Sequence, residues 1–208
     1  MPKVYIVGGN GQNYGQMFLN AGWELAKGPL KADLIQFTGG EDVTPALYGE
    51  GKHPYTGNSF ERDLYEAGYF ATAKRMGIPM AGICRGGQFL NVMSGGKMYQ
   101  HVDGHATGHN HTLYDIRTER EVVVSSTHHQ MMIASRSGEI LAYANEASRR
   151  ETFECKSNTD GEEPDTEAVY YADTKALCYQ PHPEFFGPEH ECFQYYFELI
   201  ERCHGLRA

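Results

Sequence analysis

The sequence predicts an α/β fold on an open, mainly parallel sheet, with an antiparallel addition in its second half. Three observations predict it. Short apolar runs alternate with helical patterns through the first half, as parallel strands joined by crossover helices do. One of those runs stops at a cysteine between glycines, Gly82-Ile83-Cys84-Arg85-Gly86-Gly87-Gln88. The second half instead holds several strand-like runs separated by turns, which is the pattern of a meander.

In chain order, Val4–Val7 is a first apolar strand running into Gly8-Gly9-Asn10-Gly11. The range 12–25 reads as a helix with Met17, Phe18 and Leu25 among its apolar positions. Leu34–Phe37 is a second strand, ending at Thr38-Gly39-Gly40. Residues 41–58 form a loop rich in Pro, Gly and Tyr. A helix follows over 61–76, with Leu64, Ala67, Tyr69, Phe70 and Ala71 available for its buried side. The run Ile78-Pro79-Met80-Ala81 is the strand that enters Cys84, and a helix leaves Cys84 to about Ser94. The meander takes 113–118, 122–125, 140–144, 152–155 and 168–171. Ala176–Tyr179 is a last central strand, and 189–203 a closing helix with Phe193, Tyr196, Phe197 and Ile200 as its core stripe. The polar, acidic stretch 157–166 is expected to be a mobile loop. With 208 residues and no internal repeat or dividing linker, one domain over 1–208 is expected.

Composition narrows the function classes. Formal net charge is -9, without clusters of Lys or Arg, so neither nucleic acid nor an anionic membrane is an expected partner. No apolar run approaches the roughly 20 residues that span a bilayer. The N-terminus reads as a strand and not as a signal peptide. The cysteines Cys84, Cys155, Cys178, Cys192 and Cys203 are odd in number and irregularly spaced, which suits reduced thiols and a cytoplasmic location.

Chemistry concentrates at predicted strand ends. A strand, a sharp turn and a helix lift one side chain out of the sheet, as in a nucleophile elbow. The helix N-terminus beyond it favours a thiolate. Gln180-Pro181-His182-Pro183-Glu184 follows the last strand. Residues i and i+2 of an extended segment face the same way, so Glu184 can orient His182, and His182 can serve Cys84 as a base. Backbone N–H groups of Gly40 and Arg85 are candidates for an oxyanion hole.

These residues resemble the G-x-C-x-G-x-Q and H-P-E segments of class I glutamine amidotransferase domains. The closer resemblance is to the γ-glutamyl-γ-aminobutyrate hydrolase branch, the peptidase C26-type hydrolases. Residues 39–50 (GGEDVTPALYGE), Arg62-Asp63, residues 91–100 (NVMSGGKMYQ) and His128-His129-Gln130 carry it. Two positions depart from the common pattern: Pro181 replaces an aromatic, and Ser125-Ser126 stand where Asn-Ser is usual. The resemblance implies a flavodoxin-like fold and a Cys84, His182, Glu184 triad. It implies hydrolysis of the γ-amide of glutamine or of a γ-glutamyl amine through a glutamyl thioester. It places Gln88 on the glutamyl group and Ser126, Thr127, His128 and His129 along the substrate pocket. Two alternatives stand beside it: a glutaminase subunit feeding ammonia to a separate synthase, and a non-catalytic binding domain on the same fold. His101, His105, His109 and His111 fall close together, and imidazoles suit zinc. No cysteine accompanies them and the resembling family needs no metal for catalysis, so no metal or other cofactor is expected.

Overall fold

A computed structural model describes residues 1–8, 12–144, 148, 150–152 and 165–208. Its strands are β1 Lys3–Val7, β2 Glu24–Leu25, β3 Leu34–Phe37, β4 Met80–Ile83, β5 Lys97–Tyr99, β6 His101–Val102, β7 His111–Asp115, β8 Arg120–Val124, β9 Met131–Ile133, β10 Gly138–Ala144, β11 Arg150–Glu151, β12 Asp165–Tyr171 and β13 Ala176–Tyr179. The helices are α1 Gln12–Asn20, α2 Phe60–Met76, α3 Arg85–Met93 and α4 Glu191–His204. The main sheet has nine strands in the order β2-β1-β3-β4-β13-β12-β10-β7-β8. Pairing is parallel from β2 through β13 and antiparallel from β13 to β8. The expected flavodoxin-like parallel core and its antiparallel extension are therefore both present. Among the described residues, no helix is long and apolar enough to cross a membrane.

Each face of the sheet carries its own core. One holds Phe18, Trp23, Leu34, Tyr195, Tyr196 and Ile200. The other holds Phe37, Phe70, Phe89, Met98 and Met132. α4 is fastened to the antiparallel half by Asp115, which accepts from the Tyr195 hydroxyl at 2.6 Å and from Arg202 Nη2 at 2.8 Å. Those donors hold the Asp115 carboxyl well below the usual carboxylate range despite its burial.

Several boundaries differ from the sequence reading. α1 stops at Asn20, because Gly22 turns left-handed (φ 82°) and sends residues 24–25 into an edge strand. The strand expected over 113–118 begins two residues earlier and ends at Asp115. There Oδ1 accepts from the N–H groups of Arg117 and Thr118 in a tight turn. Of the strand expected over 152–155, Thr152 is not in a strand and 153–155 lie outside the described residues. Most of the loop expected over 157–166 also lies outside them, but Asp165 and Thr166 belong to β12.

The buried side of α2 is only partly the expected one: Phe70 is buried and Ala67 and Tyr69 pack on the same core, but the burial extends to charged residues. Leu64 is 58% exposed and Ala71 is exposed, whereas Asp63 and Glu66 are buried. The reason is Arg85, itself 1% exposed, whose guanidinium pairs with both carboxylates. A charge so placed is tolerable only while its partners remain. Arg85→Met should therefore leave buried Asp63 without its cation and Glu66 with Arg62 alone, and cost about 3–5 kcal/mol, read as a lower denaturant midpoint at unchanged m-value.

Candidate active site

The register of the parallel sheet builds the site. β4 and β13 run side by side with Ile83 opposite Tyr179, so the segments leaving both strands emerge on the same rim. Cys84 follows β4 at once and His182 comes three residues after β13. This is the carboxyl edge of the sheet, where open α/β folds collect reactive groups.

Cys84 sits at φ 50°, ψ −116°, a conformation that a non-glycine residue adopts only when its surroundings enforce it. They do. The Cys84 N–H donates to the Tyr179 carbonyl at 2.7 Å, and its own carbonyl accepts from the Gln88 N–H at 2.9 Å. α3 starts at the next residue. The tight turn also explains Gly86, where a Cβ would come within 2.5 Å of the Phe37 carbonyl group. The thiol is partly exposed at the N-terminus of α3, where free N–H groups and the helix dipole favour negative charge.

His182 Nδ1 lies 2.6 Å from Glu184 Oε1. The ring stacks on Phe185, centroid to centroid 4.6 Å and 3° from parallel. Its backbone N–H donates to the Ser125 hydroxyl at 2.7 Å. Burial would press the imidazole pKa down, but Cys84 and Glu184 outweigh it and hold it up at about 10. The structure thus brings Cys84, His182 and Glu184 together.

The glycine turn after β3 closes the site. A Cβ on Gly39 would fall 3.0 Å from His182 Cε1 and 3.7 Å from Cys84 Cβ, so this backbone lies against both. The Gly39 N–H donates to the Tyr14 hydroxyl at 2.9 Å, which leaves Gly40 as the next amide along the turn. Burial and the neighbouring Glu184 push the Tyr14 hydroxyl well above the usual phenol range, so it stays protonated beside that carboxylate. Gly40 has φ 137°. Arg62 Nη2 donates to the carbonyls of Thr38 at 3.0 Å and Gly39 at 2.9 Å, and Arg62 Nε to Glu66 at 2.9 Å. Tyr14 and Arg62 hold this turn, and the motifs did not single them out for it. Arg62 was visible only as the first half of Arg62-Asp63.

The remaining expected site residues fall in different places. Gln88 is buried, its amide donating to Gln180 Oε1 at 3.1 Å and to the Gln130 carbonyl at 3.3 Å. Ser126 is buried and donates to the His105 carbonyl at 2.6 Å. His128 is buried and faces Glu167. Thr127 is exposed. His129 is partly exposed and reaches Asp42 Oδ1 at 3.2 Å, and that carboxylate raises its pKa over the opposing effect of burial. Of these, Thr127 and His129 are open to solvent, whereas Ser126 and His128 direct their polar groups inward.

Known proteins share this architecture. Residues 30–184 match the family model described as Peptidase C26. Protein NtpR of Enterococcus hirae is 41% identical over 69 residues, which are 33% of this chain and 29% of that protein. The chain thus spans under a third of that relative's length. A glutamine amidotransferase from Thermotoga maritima superposes with a TM-score of 0.62 at 17% identity, covering 97% of this chain and 84% of that one. The glutaminase domain of Trypanosoma brucei CTPS, solved with bound acivicin, gives 0.62 at 12% identity over 100% and 95%. At those identities the likeness is one of fold. The family match covers most of the chain and includes the elbow and the His-Pro-Glu segment: the chain belongs to the peptidase C26 family, within the class I glutamine amidotransferase-like superfamily.

Proposed function

We propose that this protein hydrolyses the γ-amide bond of glutamine or of a γ-glutamyl amine. The observation that carries the reading is the strained Cys84 elbow beside a His182 that Glu184 holds at 2.6 Å. In this reading the Cys84 thiolate attacks the γ-carbonyl, and the N–H groups of Gly40 and Arg85 hold the oxyanion. Imidazolium His182 gives its proton to the leaving amine. Water, deprotonated by His182, then cleaves the glutamyl thioester and releases glutamate. Gln88, Thr127 and His129 are proposed to shape the glutamyl pocket, Gln88 by holding the backbone around it, with Ser126 and His128 supporting that wall from inside. The free thiols Cys84, Cys178, Cys192 and Cys203 suit work in a reducing compartment such as the cytoplasm.

A second reading keeps the chemistry and adds a recipient for ammonia. It is favoured by the solved neighbour described as a glutaminase domain. The experiment is a panel of glutamine and γ-glutamyl amides, assayed for glutamate release with and without candidate synthase subunits. Turnover by the chain alone supports the hydrolase, and turnover only with a synthase supports the subunit. A Cys84 that neither turns over substrate nor reacts with a glutamine-like electrophile would leave a binding domain.

Arg62 offers a sharper test of the oxyanion assignment. It fixes the Thr38 and Gly39 carbonyls, on the two peptides that lead into Gly40, without being the donor itself. Arg62→Ala should lower kcat by about 10–100-fold with KM little changed, a milder version of the ~10²–10³-fold lost with an oxyanion donor. Steady-state kinetics on any substrate that turns over will show the split.

A further inference from the structure

A buried polar cluster stands apart from the triad and takes no part in the proposed chemistry. Glu167 on β12 is 0% exposed, and neither of its carboxylate oxygens has a hydrogen-bond partner among the described residues. An ionised carboxylate held this way costs several kcal/mol unless something cationic compensates it. Three imidazoles face its Oε1: His111 Nε2 at 3.2 Å, His128 Nε2 at 3.5 Å and His105 Nδ1 at 3.7 Å.

The far nitrogens of two of these rings are already engaged. His105 Nε2 lies 2.5 Å from Asp165 Oδ2, and Asp165 is gripped in turn by Arg150 at 2.9 and 2.6 Å. His128 Nδ1 lies 2.9 Å from the Gln130 carbonyl oxygen. Both partners are acceptors, so a proton sits on each far nitrogen, and the other nitrogen of each ring faces Glu167, with the Ser126 hydroxyl also 3.4 Å from His105 Nδ1. A carboxylate or carbonyl on the outer nitrogen is the usual support of a metal-binding imidazole.

We propose that His105, His111 and Glu167 form a site for a zinc-class divalent cation, with the fourth position left to solvent. The ligand atoms of His105, His111 and Glu167 all lie within 4.8 Å of one another. A tetrahedral site with bonds of about 2.0–2.1 Å places its donors about 3.3 Å apart, and the observed 3.2 and 3.7 Å bracket that spacing. Imidazoles with a single carboxylate suit zinc and its neighbours better than calcium or magnesium, which prefer all-oxygen sites. Residues 103, 104 and 106–110, in the segment that carries His105 and His111, are exposed. His101 takes no part, since it pairs with Asp103 at 3.1 Å. The cation would tie this stretch to β7 and β12. Its link to the triad is through the backbone: the Glu167 carbonyl accepts the Gln180 N–H at 2.8 Å, two residues before His182.

The test uses the full chain, stripped with a chelator, titrated with zinc chloride, dialysed and analysed for metal. About one zinc per chain should be retained, with a melting temperature raised by several degrees. Cys84→Ala should keep both properties, which separates this site from the thiol. Glu167→Gln and His111→Ala should each weaken retention by about 10-fold or more. Cobalt(II) bound to the unsubstituted chain gives a reading that needs no variant: tetrahedral visible bands without thiolate-to-cobalt charge transfer. Failure to retain zinc, loss of the ion in Cys84→Ala, unchanged retention in both other variants, or a thiolate band with cobalt would each overturn the site. The first of these would identify the cluster as an imidazolium–carboxylate network.

Discussion

Cys84→Ala is expected to reduce glutamate release by about 10⁴-fold or more, the scale on which loss of a nucleophile is felt in a catalytic triad. The expectation rests on where the thiol sits. Its backbone is held at φ 50° by the Tyr179 carbonyl on one side and the first turn of α3 on the other, so its direction is fixed by the sheet and not by its own packing. Removing the sulfur therefore deletes the attacking atom and leaves the turn in place. The melting temperature should stay within a degree or two of the parent, since the thiol is partly exposed and only borders the core. Substantial turnover by the alanine variant would refute covalent catalysis at this position. A collapse in stability would instead show that the elbow depends on its side chain.

Glu184→Gln should be nearly as damaging and more informative. The amide keeps the size of the carboxylate but presents no negative charge to His182 Nδ1, now 2.6 Å away. His182 is held at about 10 by Cys84 and Glu184 acting against burial. With Glu184 neutral, that balance moves toward burial and the imidazole pKa falls. In the proposed reaction His182 gives a proton to the leaving amine; that proton is then lost at lower pH, so the alkaline limb of the kcat profile is expected to shift downward in pH. The amide can also favour the wrong tautomer, and kcat itself should fall by about 10²–10⁴-fold. Phe185, stacked on the ring at 4.6 Å, limits how far the imidazole can swing to compensate. A pH–rate profile with an unmoved alkaline limb would mean that Glu184 only packs against the ring.

What the sequence disclosed follows from the range of the interactions involved. The elbow, the His-Pro-Glu segment and the glycine turn after β3 are local: strand, turn and chemistry lie within a few residues, and periodicity finds them. The inner face of α2 is legible at Phe70, Ala67 and Tyr69 but not at Asp63 and Glu66, which read as solvent-facing until Arg85, which pairs with both, arrives from another helix. Tyr14 carries no signal on a helix whose apolar residues already explain it; only the fold lays its hydroxyl on the Gly39 N–H. The histidines of 101–111 looked like a cluster in their own right. The fold divides them, sends His101 to Asp103, and brings His105 and His111 to a carboxylate on a distant strand.

The pairing of Ile83 with Tyr179 has a consequence for how this chain can change. The spacing between thiol and imidazole is measured across one rung of a hydrogen-bonded ladder, and a slip of one residue would turn every side chain of β13 to the opposite face. Strands β7, β8 and β10, which lie between α3 and β13 in the chain, pair with neither β4 nor β13. They return to the sheet from the flank, and their loops are open to insertion and deletion. New recognition surfaces can therefore be grafted onto that half of the molecule while Cys84 and His182 keep their alignment, one arm of a fixed caliper being edited without moving its jaws.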